Sequence, residues 1–323
     1  MALPTNIRAG RAAALLMGVQ AAKGTPVSAF NSSDAGLVWS EEYGSDVTRR
    51  KSGAEGWMTS ELMHQVGRFS IPSAREGFMR LKATPTALEW LLRSNWGSFS
   101  GGAFSLAGQV PAWLTLGFIE DAMPNPSGVL HRIYDAWPHT LSLVASLYEP
   151  LLVEAIYAAE REQDPESVGS VTHPARPMFP GDSNLFPGRQ VKIYRDPAGD
   201  NQEIPYAAAS LILEQGVLQE WDMMQQREVV FKGGHPGPRV TIELVGHVAD
   251  ETWRLIYDSR ADTKSTYRFQ ATAEDPATVL EIDLHAVDWE VEEIGHEGQQ
   301  AKRFRAVGTA HYDGTDFVDI SLS

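Results

Sequence analysis

Apolar and polar residues alternate through VTIELVGHV (240–248), with Val240, Ile242 and Leu244 on one side and Thr241 and Glu243 on the other. That is the period of a half-buried strand. From Asp250 the spacing changes, and Trp253, Ile256 and Tyr257 recur at helical intervals. A strand running directly into a short helix is expected. The same step occurs earlier, where QVGRFSIP (65–72) has strand alternation and TPTALEWLLRS (84–94) has helical spacing.

Elsewhere the pattern is that of strands. QVKIYRD (190–196) and AASLILE (208–214) bracket the turn-rich DPAGDNQ (196–202), and VLQEWDMMQQREVVFKGG (217–234) continues in an extended style. STYRFQATAE (265–274), AKRFRAVGTAHY (301–312) and DFVDISL (316–322) alternate as well. In TVLEIDLHAVDWEVEE (278–293), Leu280, Ile282, Leu284 and Ala286 share a face, after which Val287, Trp289 and Val291 take it over. A change of parity without a break predicts a β-bulge, because one extra residue reverses which side chains face inward.

The two halves can be laid side by side. AGLVWSEE (35–42) resembles ASLILEQ (209–215). Each is followed by a polar extended stretch, a strand, a helix with an internal tryptophan, the strand AWLTLGFIED (112–121) or STYRFQATAED (265–275), and a further strand pair. The pair in the first half is TLSLVASLYEPLLVEAIYAAE (140–160). The shared order favours a duplicated β-rich unit with one flanking helix; two unrelated β-rich domains are the alternative. Between the halves, residues 161–188 carry Pro174, Pro177, Pro180 and Pro187, which exclude a helix and disfavour a central strand. The expected division is an N-terminal arm (1–30), a first module (31–160), a linker (161–188) and a second module (189–323).

Composition narrows the function. With no cysteine, disulfides, thiol catalysis and Cys-ligated zinc are excluded. Arg8 and Arg11 before AAALLMGV (12–19) imitate a secretory signal, but the apolar run is short. No run reaches the roughly 18 residues of a membrane span, so membrane insertion is not expected. The net charge is −15, and it is concentrated: residues 1–165 hold 13 basic and 16 acidic side chains, residues 166–323 hold 14 and 26. Duplex binders neutralise phosphates with Lys and Arg, so this balance argues against DNA binding.

The nine histidines show no metal-ligand spacing. KGGHPGP (232–238) lacks the ending of a phosphate loop, and DPAGDNQ lacks the calcium-loop pattern. Asp288, Glu290 and Glu292 share one strand face. Acid–base chemistry needs one carboxyl kept neutral by burial, whereas three in a row on a polar face are solvated. No catalytic site, cofactor or metal is expected.

These segments together resemble the tail tube proteins of long-tailed bacteriophages. The resemblance is carried by LLMGVQAAKGTPVSA (15–29), WLTLGFIED (113–121), GRQVKIYRDPAG (188–199), RVTIELVGHVADETWRLI (239–256) and the closing FVDISL (317–322). It implies a mainly β fold of two tail-tube modules, each a β-sandwich or rolled barrel with a flanking α-helix. It implies stacked rings around a lumen that passes viral DNA without binding it specifically. A duplicated module implies trimeric rings of pseudo-sixfold symmetry. Asp288, Glu290 and Glu292 are candidates for the lumen wall. Arg49, Arg50, Lys51, Trp57 and Met58 in one half, and Glu220, Trp221, Asp222, Met223 and Met224 in the other, are candidates for contacts between subunits, because aromatics, Met and Arg suit interface centres. The implied partners are further copies of the chain, a tape measure protein inside the tube, and terminator and distal tail or baseplate proteins at its ends. The implied place is the virion of a siphophage with a flexible, sheathless tail, the chain being made in the host cytoplasm. A tail terminator or baseplate ring protein of related fold is the alternative. A carboxylate-based hydrolase or lyase on a β scaffold is the lesser one.

Overall fold

The computed structural model describes residues 14–38, 40–46, 75–105, 112–120, 129–163, 166–167, 184–199, 201–222, 227–232, 237–248, 252–261, 263–294 and 303–323. The fold is mainly β and antiparallel, with two α-helices among the described residues. The first half contains β1 (Ala14–Val19), β2 (Ala35–Val38), β3 (Ser40–Asp46), β4 (Arg75–Lys82), α1 (Pro85–Asn95), β5 (Ser98–Ser100), β6 (Ala103–Ser105), β7 (Leu114–Glu120), β8 (Val129–Ser146), β9 (Leu152–Glu162) and β10 (Glu166–Ser167). The second contains β11 (Val191–Arg195), β12 (Gln202–Glu203), β13 (Ala208–Glu214), β14 (Val217–Asp222), β15 (Arg227–Lys232), β16 (Arg239–His247), α2 (Trp253–Ala261), β17 (Ser265–Thr272), β18 (Val279–Ile294), β19 (Arg303–Thr309) and β20 (Val318–Leu322).

Strand pairing follows one order in the two halves. The first ladder runs β2–β1–β7–β8–β9–β4–β3. The second runs β12–β11–β17–β18–β19–β16–β13. Each helix follows the equivalent strand, β4 or β16, and precedes β7 or β17. Even the bulge recurs. Leu114 pairs with Ala136 and Leu116 with Ile133, so β8 carries one residue too many; Ser265 with Val287 and Tyr267 with Leu284 repeat this in β18. The extra residues bring Asp135 and Ala286 to positive φ, 54° and 44°. This is the predicted change of parity: Leu280, Ile282 and Leu284 are buried before it, Val287 and Trp289 after it.

Local sequence explains each helix. Thr84 caps α1 by accepting from the Ala87 amide at 3.3 Å, and Pro85 opens the first turn, where its missing N–H costs nothing. Ala87, Leu88, Leu91 and Leu92 are buried against the sheet. The last turn is tied to β8, where Trp137 Nε1 donates to Ser94 O at 3.0 Å and Asn95 Nδ2 donates to Pro138 O at 2.9 Å. In α2 the inward residues are Leu255, Ile256 and Asp258, whereas Tyr257, expected on the apolar face, is exposed. Asp258 turns inward because its partners, Arg195 and Tyr267, lie under the helix.

The expected segments differ in detail. Part of the segment read as an arm, residues 14–19, is β1, paired to both β2 and β7. The strand entering α1 is β4; the expected strand at 65–72 lies outside the described residues. The end of the proline-rich segment is docked. Phe186 is fully buried, its carbonyl accepting from Leu151 N at 2.7 Å, and the Leu185 carbonyl accepts from Glu274 N at 2.9 Å. Gly188 donates to Glu149 O at 2.9 Å so closely that a Cβ would lie 1.9 Å from Ser146 O and 2.5 Å from Glu149 O. Both obstacles are backbone. Gly188→Ala is expected to lower stability by about 3 kcal/mol, the upper end of the overpacking range, seen as a reduced urea midpoint.

Candidate assembly interface

Where the halves meet, β8 and β13 pair over seven residues, from Ala208↔Ser146 to Glu214↔Thr140. The pairs Ala209↔Ala145, Leu211↔Leu143 and Leu213↔Leu141 are buried, and Val240, Ile242 and Leu244 of β16 continue the row. The opposite face, with Ser142, Val144, Ser210 and Ile212, is half-exposed. Sequence alternation on β8 and β13 dictates this, since apolar side chains every second residue make one dry face. The joint produces a continuous strip, β3–β4–β9–β8–β13–β16–β19–β18, with four strands from each half.

The strip's half-exposed face carries the acidic candidates. Asp288, Glu290 and Glu292 are exposed together on one side of β18, while Trp289 between them is buried, edge-on to Tyr267 with ring centroids 4.9 Å apart. Two cations of this face are paired with carboxylates, while Arg239 and Arg303 on the same face are exposed. Arg305 Nε lies 2.6 Å from Glu243 Oε1, and Arg80 Nε lies 3.1 Å from Glu154 Oε1. Of the contact candidates, Glu220, Trp221 and Asp222 end β14, whose hairpin with β15 pairs Trp221 with Glu228 and Asp222 with Arg227. Arg49, Arg50, Lys51, Trp57, Met58, Met223 and Met224 lie outside the described residues.

Three polar clusters escaped the sequence reading. At the first bulge the fully buried Asp135 accepts from Gly24 N at 2.6 Å and pairs with Arg161 Nε at 3.0 Å, and its own amide donates to Gln20 Oε1 at 3.0 Å. Beside it the buried Glu160 pairs with Lys23, whose Nζ sits 4.3 Å from the centroid of the Trp113 ring. At the second bulge His285 is held between Asp319, at 2.9 Å, and Asp313, at 3.3 Å. The Asp313 carboxyl is kept below the usual carboxylate range chiefly by the backbone amides of Asp316 and Thr315, with His285 adding to the effect. Under α2, Arg195 grips Asp258 with Nε at 2.8 Å and Nη2 at 3.1 Å, and Tyr267 donates to the same carboxylate at 3.0 Å. Burial, then Asp258, pushes the Tyr267 hydroxyl well above its ordinary pKa. Each cluster pins a loop or helix onto its ladder. Only the parity change had signalled a bulge, and nothing local marks Arg195 as a partner of a residue so far along the chain.

Among the described residues no group of His, Asp or Glu could hold a metal ion, and no helix is long and apolar enough to cross a membrane. A cleft of about 620 Å³ lies between the turn at Leu147–Pro150 and the docked segment around Arg189. No protein-family model matches the chain, and no curated protein matches it. One solved structure similar to it is the cryo-EM structure of the anti-feeding prophage cap (AFP tube terminating cap), at 14% identity and a TM-score of 0.33, over 43% of this chain and 91% of that chain.

Proposed function

We propose that this chain is a structural subunit of a bacteriophage tail tube, three copies closing into a ring of pseudo-sixfold symmetry and rings stacking around a lumen for DNA. The observation that carries this reading is the pair of matching ladders joined edge to edge through β8 and β13. A protein that already joins two copies of one unit by strand pairing needs only to repeat that contact to build a ring. A closed ring also removes the exposed sheet edges that otherwise invite aggregation. The half-exposed face of the strip is suited to a wall that DNA passes. Its Arg80 and Arg305 are held by carboxylates of the same face, and Asp288, Glu290 and Glu292 set negative charge beside the exposed Arg239 and Arg303, so it is not a basic phosphate-binding surface. The sequence resemblance to tail tube proteins points the same way, and it brings the tape measure, terminator and baseplate proteins as proposed partners and the virion as the proposed location.

Electron microscopy of the purified protein tests this. Hollow stacked rings of three chains are the expected result. Single rings that never stack would transfer the chain to a terminator or baseplate role. Rings of six chains would keep the conduit and remove the pseudo-sixfold reading. Particles that stay monomeric at high concentration even after addition of sheared tail fragments would overturn it.

A further inference from the structure

The strip has two ends. Among the described residues, β3 pairs only with β4, and residues 288–294 of β18 pair only with β19. Neither end is an arbitrary edge. β3 occupies in the first ladder the place of β13 in the second, and the distal part of β18 occupies the place of the distal part of β8. β8 and β13 are the two strands that pair at the joint. Each free end is therefore the counterpart of one side of a contact this chain already makes within itself.

We infer that β3 of one copy pairs antiparallel with the distal part of β18 of the next, in the register of the β8–β13 joint. This rests on the ring reading above and gives it an atomic contact. Counted from Ala136 and Val287 at the matching bulges, and past a second extra residue of β8 between Pro138 and Thr140, Ser142 falls level with Glu292, and the register follows row by row. In the first half Ser142, Glu154, Arg80 and Glu42 lie across β8, β9, β4 and β3. In the second, Glu292, Arg305, Val245 and Ala208 lie across β18, β19, β16 and β13. Glu42 thus corresponds to Ala208, Asp46 to Ile212 and Glu292 to Ser142. Because Ile212 pairs with Ser142 at the joint, Asp46 falls opposite Glu292, Ser45 opposite Glu293 and Gly44 opposite Ile294. Glu292 keeps Arg305 as its cross-strand neighbour on the other side.

The stagger of the strip favours closure over an open ribbon. A straight path from Ser146 crosses Ala208, Val245 and Arg305 and reaches Glu292, the counterpart of Ser142 rather than of Ser146. Each four-strand unit thus slips by four residues, one per strand. One residue of shear per strand is the ratio of an eight-stranded barrel of shear 8, whose strands tilt by about 36°, within the usual range for closed barrels. An unstaggered strip would have no such tilt.

The absence of cysteine makes a clean test possible. Two double variants, Asp46→Cys/Glu292→Cys and Ser45→Cys/Glu293→Cys, cover the two kinds of antiparallel pair, of which the non-hydrogen-bonded kind brings its side chains closer. The full-length proteins are purified, oxidised, run without reductant and imaged in parallel. At least one variant is expected to give a ladder of covalent dimers and trimers that collapses on reduction, while the register-shifted Asp46→Cys/Asp288→Cys gives none. Rings in the micrographs without any covalent ladder would overturn the edge contact and leave the ring reading standing. A ladder without closed rings would keep the edge contact and remove the ring. A ladder from the shifted control equal to that of the in-register pairs would overturn the register.

Discussion

Asp258→Ala is expected to cost about 3–5 kcal/mol, the range for removing one partner of a buried ion pair. Asp258 is 2% exposed, and it is the shared acceptor for Arg195 and Tyr267. Without it the guanidinium, whose side chain is 16% exposed, stays under α2 with Ser265 Oγ at 3.3 Å from Nη2 but without its carboxylate. The Tyr267 hydroxyl, on a fully buried residue, loses its acceptor at the same time. Because the penalty comes from the groups left behind, Arg195→Met combined with Asp258→Leu should recover much of the loss, since apolar replacement of a whole buried pair is often neutral or better. Urea unfolding followed by circular dichroism gives both numbers. A single variant as stable as the wild type would show that α2 is held by Leu255 and Ile256 alone. Tyr267→Phe, which keeps the ion pair and removes one hydrogen bond to a charged group, is expected to cost less, about 1.5–3 kcal/mol.

What the sequence showed and what it hid divide along a physical line. Period-2 alternation exposed β13, β16, β17 and β19, and the parity change in β18 exposed its bulge, because burial acts on each residue independently of what lies across the sheet. The same cue was missed in β8, where IYDAW carries a buried Asp135 at the corresponding place, so the apolar pattern blurs. Pairing between distant strands leaves no local trace, and the β8–β13 joint could not be read from either strand. Asp258 shows the limit most clearly. A charged residue beside Tyr257 on a short helix reads as solvent-facing until Arg195, on β11, is known to lie beneath it. The acidic row Asp288, Glu290 and Glu292 was legible as one exposed face, since nothing but alternation was needed to place it.

Leu211→Ala, at the centre of the joint, is expected to destabilise the chain by about 3 kcal/mol, within the range for truncating a buried leucine. Leu211 is fully buried, with Leu143 opposite on β8 and Ile242 opposite on β16, both also fully buried. A cavity there is flanked by backbone ladders on both sides, which cannot collapse into it without breaking pairs, so repacking recovers little of the loss. The location of the damage separates this site from an ordinary core position. If β8–β13 is a contact between two units that each carry a complete ladder, amide exchange should quicken most in residues 140–146 and 208–214. The amides of β7 and β17, deep in their own ladders, should keep most of their protection. A uniform loss of protection over both halves would instead make the chain one cooperative body in which the joint has no separate standing. That outcome would weaken the use of the joint as a template for contacts between copies. The localised outcome would mark it as an interface already, one that happens to lie within a single chain.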